Sequence, residues 1–199
     1  MGTLFVDNIK HESAQGSGTI TLGASGETIA LASGASVTGN GLVGITEADQ
    51  WQVTAGTAVS ADTDTVIASG WSRAVPTAFN YIGSGMSQSS GVFTFPSTGI
   101  YLVTFTLVVA KSGSTRYFEA RINATTDNSS YSNIGQSTGH INQVTSGTLS
   151  TVTFSTFVDV TDTSNVKVKF STIADEAIDV TSNPNYPRTN VTFIRLGDT

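Results

Sequence analysis

The sequence predicts an all-β chain, a sandwich or a barrel. Three observations point there. Short apolar segments with strand-like alternation recur from about residue 63 to the C-terminus. Thr (31) and Ser (25), with 20 Gly, supply β-branched residues and turn punctuation in a chain of 199 residues. No window sustains a helical period.

Along the chain, residues 1–13 read as a short arm in which Leu4, Phe5, Val6 and Ile9 are too few to build their own core. Residues 14–44 hold eight Gly, one charge (Glu27) and no aromatic. The alternating patches Thr19–Leu22 and Thr28–Leu31 are each bounded by Gly/Ala/Ser. Their apolar set (Ile20, Leu22, Ile29, Leu31, Val37) cannot offset the ordering of about thirty residues at ~1–2 kcal/mol each. Three copies wound about one axis would pool the side chains, so the segment reads as a short intertwined trimeric β shaft, the alternative being a flexible Gly/Ser linker. Residues 45–62 read as a linker opening with either a capped helical turn over 45–53, with Thr46 as N-cap and Asp49 three positions on, or a plain loop.

Residues 63–199 carry the strands: 64–68, 78–82, 91–96, 100–109, 117–122, 152–160, 166–170 and 191–196. In the fourth, Tyr101, Val103, Phe105, Leu107 and Val109 share one face, while Leu102 and Val108 on the other suggest cover from both sides. The polar stretches 123–149 and 173–189 read as long loops. Eight or more short strands with turn signals fit a sandwich.

Composition narrows function. Nine Lys and Arg against fifteen Asp and Glu give a net charge of −6, a poor match to phosphate backbones, so no nucleic acid is expected. There is no Cys, hence no disulfide scaffold, thiol nucleophile or thiolate metal site. Asp7 interrupts any apolar signal-peptide core, and the apolar run 99–110 falls short of the ~20 residues a spanning helix needs. No signal peptide and no membrane insertion are expected.

The stretch Gly91-Val92-Phe93-Thr94-Phe95-Pro96-Ser97-Thr98-Gly99-Ile100-Tyr101-Leu102-Val103-Thr104-Phe105 is similar to the G-x-F-x-x-P-x-x-G-x-Y-x-x-x-F core of the C1q/TNF-like jelly roll. The 160–168 turn and the closing segment 192–197 resemble later elements of that family, although the family's small-aromatic-apolar ending is altered here. The resemblance covers about residues 63–197. Residues 3–10, 18–23 and 44–51 resemble bacteriophage virion fibre proteins, especially those of marine and cyanobacterial phages. Together these resemblances imply a homotrimeric fibre or knob on the surface of a phage particle. Its arm would attach to other virion proteins of tail or capsid through Leu4, Phe5, Val6 and Ile9, and its C1q/TNF-like head would be displayed for adhesion to host-surface glycan.

No catalytic constellation can be assembled, so the chain is not expected to be an enzyme. No cofactor is expected. The acidic run Asp175-Glu176-Ala177-Ile178-Asp179 could offer oxygen ligands to Ca²⁺, which some C1q-like heads bind by family resemblance, but its spacing is no EF-hand and a solvated loop is the simpler reading. Tyr131, His140 and Tyr186, in the long polar stretches, are candidate receptor contacts, since a ring among hydroxyls and amides suits a sugar. Against that stands the plainer role of anchoring a loop or subunit interface. Two other readings compete with adhesion: a capsid decoration protein without receptor binding, and a tail-associated polysaccharide depolymerase, which would need a carboxylate pair held in a groove. A secreted C1q/TNF-like ligand is disfavoured by the absent signal sequence.

Overall fold

The computed structural model describes residues 44–73, 80–144 and 147–199. The arm, with Leu4, Phe5, Val6 and Ile9, and the shaft up to residue 43 lie outside the described residues. In chain order the strands are β1 (Ala48–Val53), β2 (Thr57–Val59), β3 (Thr65–Val66), β4 (Trp71–Arg73), β5 (Ser87–Ser89), β6 (Val92–Thr94), β7 (Gly99–Lys111), β8 (Thr115–Thr125), β9 (Ser132–Ile141), β10 (Thr148–Val160), β11 (Lys167–Ala174), β12 (Ile178–Val180) and β13 (Asn190–Gly197). Among the described residues no helix forms.

The strands make two antiparallel sheets packed face to face. In the first, β10 borders β7, and β13, β1 and β4 follow in that order. Beyond the start of β13, β12 takes the same flank of β7 and carries β2. In the second sheet the order is β5-β6-β11-β8-β9, with β3 also on β11. The sandwich has two ends. At the base lie the start of β1 and β7, the 126–131 loop and the 161–166 turn; at the tip lie the 112–114 turn, residues 142–144 and the 181–189 loop.

β7 forms as its alternation predicts. Tyr101, Val103, Phe105, Leu107 and Val109 are buried between the sheets. On its other face Val108 is buried and its carbonyl takes hydrogen bonds from Thr181 and Thr189, whereas Leu102 stays partly open. The aromatic residues that meet in the core come from both sheets. The Phe93 ring lies 5.3–5.6 Å from Trp51, Trp71, Phe170 and Phe193, mostly edge to face, an arrangement that adds to the ~1.5–3 kcal/mol of burying each large side chain. Each indole N–H also finds an acceptor, Trp51 at Asp49 Oδ2 (2.9 Å) and Trp71 at Ile67 O (2.7 Å).

The geometry explains the 91–105 motif residue by residue. Ser90 and Gly91, at φ 50° and 77°, make the two-residue turn of the β5–β6 hairpin, a type I′ geometry in which both central residues sit left-handed. A side chain at Gly91 would strike Ile67 O at 2.4 Å. Phe95 packs against Tyr101 with ring centroids 4.7 Å apart and planes tilted by 57°, and the Tyr101 hydroxyl bonds the side chain and the carbonyl of Ser97, closing the turn into β7.

Four expectations change. The helical turn over 45–53 is instead strand β1, because Asp49, Trp51 and Val53 alternate inward against the core and the edge of β13 supplies its backbone partners. Thr46 does not cap a helix; its hydroxyl accepts from Arg195 (3.3 Å). The 45–62 stretch therefore contains β1 and β2 of the sandwich rather than a linker. The polar stretch 123–149 contains the ten-residue strand β9, and 173–189 contains β12. Of the strand expected over 78–82, residues 78 and 79 lie outside the described residues, and Ile82 makes a single bridge to Ala48.

Phe93→Ala removes the ring that four others share and should cost about 3–5 kcal/mol, read as a large fall in the denaturation midpoint. Phe157→Ala, at an exposed position, should leave the folding of the isolated sandwich nearly unchanged.

Candidate functional site

The outer face of the first sheet is built from the residues of β10, β7, β13 and β1 that point away from the core. Register places them in transverse rows. Phe157, Leu102, Ile194 and Ala48 make an apolar row towards the base. Ser155, Thr104, Thr192 and Gln50 form the next, and Thr153, Thr106, Asn190 and Gln52 the third, its Gln52 end buried under the 181–189 loop. The polar rows bond among themselves: Thr104 to Ser155 at 2.7 Å, Thr106 to Thr153 at 3.0 Å, and Gln50 Nε2 to Thr192 Oγ1 at 3.0 Å. Phe157 is 65% exposed and Leu196, further along β13, 56%. With Leu102, Ile194 and Ala48 beside Phe157, the row makes a contiguous apolar strip rather than a single exposed side chain. Phe157 was readable in the sequence, since Val152, Phe154, Thr156, Val158 and Val160 set one phase of β10 and Phe157 falls in the other.

The three candidate receptor residues are not brought together. Tyr131 precedes β9 at the base, where Lys169 Nζ lies 4.2 Å from its ring centroid and covers one face. Burial, and then the Asp127 charge, push its hydroxyl pKa up. The adjoining 126–131 loop is braced by Asp127, whose carboxylate accepts from the Thr125 hydroxyl (2.7 Å) and the amides of Ser130 and Ser129, which holds it down at about 2. His140 is exposed near the other end of β9, and Tyr186, 50% exposed, lies in the 181–189 loop at the tip. Residues 123–131 thus sit at the base, and of the described residues beyond them 141–144 and 147–149 reach the tip with 181–189. Arg188, which nothing in the motif pattern singles out, donates to the Tyr186 hydroxyl at 3.0 Å. Its only sequence signal was its place two residues beyond that ring.

The acidic run is not gathered into a cation site. Asp175 accepts hydrogen bonds from the Thr115 hydroxyl, the amides of Arg116 and Tyr117, and the Arg116 guanidinium (2.6 Å). These partners, the Thr115 hydroxyl foremost, hold its carboxyl at about 2 against the cost of its burial. Glu176 faces Lys111 at 3.8 Å, and Asp179 stands outward on β12. Among the described residues no cluster of three metal-ligating side chains exists. A shallow groove of about 330 Å³ lies between β2, β7 and β12, lined by Ala58, Ser60, Ala110, Lys111, Ile178 and Asp179.

A carboxylate pair does occur near the base, at Glu47 and Asp49, but both are engaged. Asp49, 2% exposed, accepts from Trp51 Nε1, Arg73 Nε (3.1 Å) and the Met86 amide (2.8 Å). Glu47 takes the amides of Ser84 and Gly85. Arg73, stacked over Trp51 and Tyr81, also donates to Met86 O. The pair straps residues 80–86 to the sheet.

No protein-family model matches the chain, and no curated protein sequence matches it significantly. Solved structures do match. Eiger TNF from S. frugiperda is similar with a TM-score of 0.58 at 13% identity, over 76% of this chain and 93% of that one. Murine APRIL is similar with a TM-score of 0.54 at 10% identity, over 75% and 98%. The sandwich is a TNF/C1q-like jelly roll. PRD1 vertex protein P5 also matches, at 20% identity and a TM-score of 0.48, over 77% and 99%. At these identities the likeness is one of fold, so the function of this jelly roll must be argued from its own surfaces.

The Asp175 contacts have a pH signature. A carboxyl whose folded pKa is depressed contributes stability above its unfolded value of about 3.9, and loses it as pH falls through the folded value. Asp175→Asn should therefore melt below the parent at neutral pH, with the gap closing between about pH 4 and about pH 2. Thermal melts across that range check it.

Proposed function

We propose that the protein is a non-enzymatic structural component of a bacteriophage particle, a homotrimeric short fibre or knob. In this reading residues 1–13 hold it to the tail or capsid, and the jelly-roll head is displayed for adhesion to host-surface glycan. The observation that carries the reading is the outer face of the first sheet, where an apolar row containing Phe157, Leu102 and Ile194 borders rows of mutually bonded hydroxyls. A neighbouring copy that covered this face would bury Phe157, and the shaft composition independently asks for three chains. The phage assignment rests on the resemblance of residues 3–10, 18–23 and 44–51 to virion fibre proteins. The non-enzymatic assignment is supported by the occupation of Glu47 and Asp49 in structural bonds, which leaves that carboxylate pair unavailable for acid–base work.

Light scattering at micromolar concentration should give three times the 20.6 kDa chain mass. Phe157→Glu, which sets a charge in the apolar row, should shift the protein to monomer while the sandwich stays folded by circular dichroism. A monodisperse parent monomer would overturn the trimer.

Deletion of residues 1–13 should leave the trimeric head folded and abolish its incorporation into particles, scored by copy number in purified virions. Incorporation at normal copy number would mean that attachment lies elsewhere. Incubation with host envelope polysaccharide should release no new reducing ends; their appearance would favour the depolymerase reading.

A further inference from the structure

The 181–189 loop at the tip is fastened at both ends. Thr181 donates its amide (2.8 Å) and its hydroxyl (3.0 Å) to Val108 O, and the Asn183 amide donates to Val53 O (3.2 Å). On the far side the Val53 amide donates to Thr189 O (2.9 Å), and the buried Thr189 hydroxyl bonds both the amide and the carbonyl of Val108. From beneath, Gln52 Nε2 reaches Asn183 O and Pro184 O. Pro184 and Pro187 fix φ within the span, which further lowers the entropy of the loop. The exposed residues at its crest, Asn185, Tyr186 and Pro187, are therefore held by a rigid frame.

The charge pattern at this crest is unlike that around the other arginines. Arg73, Arg116, Arg121 and Arg195 each pair with a carboxylate, of Asp49, Asp175, Glu119 and Asp64, and Asp198 respectively. Arg188 has no carboxylate partner among the described residues, in a chain of net charge −6. One guanidinium nitrogen donates to the Tyr186 hydroxyl, and the guanidinium carbon lies 5.7 Å from the ring centroid. Asn190 Nδ2 holds the Arg188 carbonyl at 3.1 Å. The result is a half-exposed ring beside a cationic planar fork with donors to spare.

We infer that Tyr186 and Arg188 form a subsite for a carboxylated saccharide. The apolar face of a pyranose stacks on the Tyr186 ring. A sugar carboxylate takes parallel N–H donors from Arg188, a geometry that guanidinium matches and ammonium does not. The exposed Asn185 amide serves neighbouring hydroxyls. A single shallow subsite of this kind is weak, and three on one trimer bind a repeating acidic polymer by avidity.

The inference rests on the adhesive reading above and deepens it. Its test is saturation-transfer NMR on the full-length protein, with tri-galacturonate as probe and its fully methyl-esterified, neutral form as control. The acid should bind in preference to the ester. Arg188→Gln should weaken the acid roughly tenfold, the scale of one lost charge-assisted contact, and leave the weak ester signal in place. Tyr186→Ala should remove both signals without changing the light-scattering mass. Equal binding of acid and ester, absence of binding, an unaltered Arg188→Gln variant, or dissociation of the trimer by Tyr186→Ala would each overturn the subsite. The two readings fail separately. If the probe does not bind while Tyr186→Ala still lowers phage adsorption, the carboxylate specificity falls and adhesion stands. If the probe binds as expected while adsorption is unchanged, the subsite stands and the adhesive role falls.

Discussion

Phe93 sits where the two sheets have to agree. Trp51, Trp71 and Phe193 reach it from the first sheet and Phe170 from the second, with ring centroids within 5.6 Å. Edge-to-face contacts of this kind tolerate little sliding, so the cluster sets how the short strands β1, β4 and β6 lie over the long ones. The neighbouring volume then follows. Phe118 and Phe154 fill the space towards β9, so the inward positions of β9 can hold almost nothing: a Cβ at Gly139 would stand 2.5 Å from Phe118 Cζ, and one at Gly135 would stand 3.2 Å from Phe154. Close packing leaves no spare room there, and the small residues of β9 are the counterpart of the large rings opposite.

This is also why β9 could not be read in the sequence. A strand announces itself by apolar residues on its buried face, and in β9 those positions are Gly135, Ser137 and Gly139 until Ile141. β12 is only three residues long and is surrounded by turn formers. β1 is hidden in the sequence for a different reason: Thr46 and Asp49 mimic a capping pattern, while the use of Asp49 depends on Arg73 and Met86, more than twenty residues away. By contrast, the 91–105 segment was legible because its determinants are local: a left-handed turn at Gly91, a tyrosine four residues beyond the serine it bonds, and strict alternation through β7. The jelly-roll class and the burial of Tyr101 and Phe105 both follow from that segment.

The surface sorted itself less readably. Tyr131 and Tyr186 look alike in sequence, each a ring among polar neighbours. Only the strand directions send one to the base and the other to the tip, and only the fold lays Lys169 over the first ring. Asp175 sits in an acidic run that reads as a solvated loop, yet its neighbours in space are Thr115 and Arg116, delivered by the adjacent strand β8. Residues adjacent along the chain diverge on opposite sides of a strand, whereas functional groups are assembled across strands.

The transverse rows on the outer face of the first sheet carry one more consequence. From the Phe157–Leu102–Ile194–Ala48 row to the Thr153–Thr106–Asn190–Gln52 row there is no ionisable side chain. Contact made through these rows draws nothing from Coulomb attraction, so counter-ions have nothing to screen. Its strength is set by apolar area and hydroxyl complementarity alone. An assembly held in this way would keep its affinity from fresh water to brine, and through the pH range in which carboxylates and imidazoles titrate.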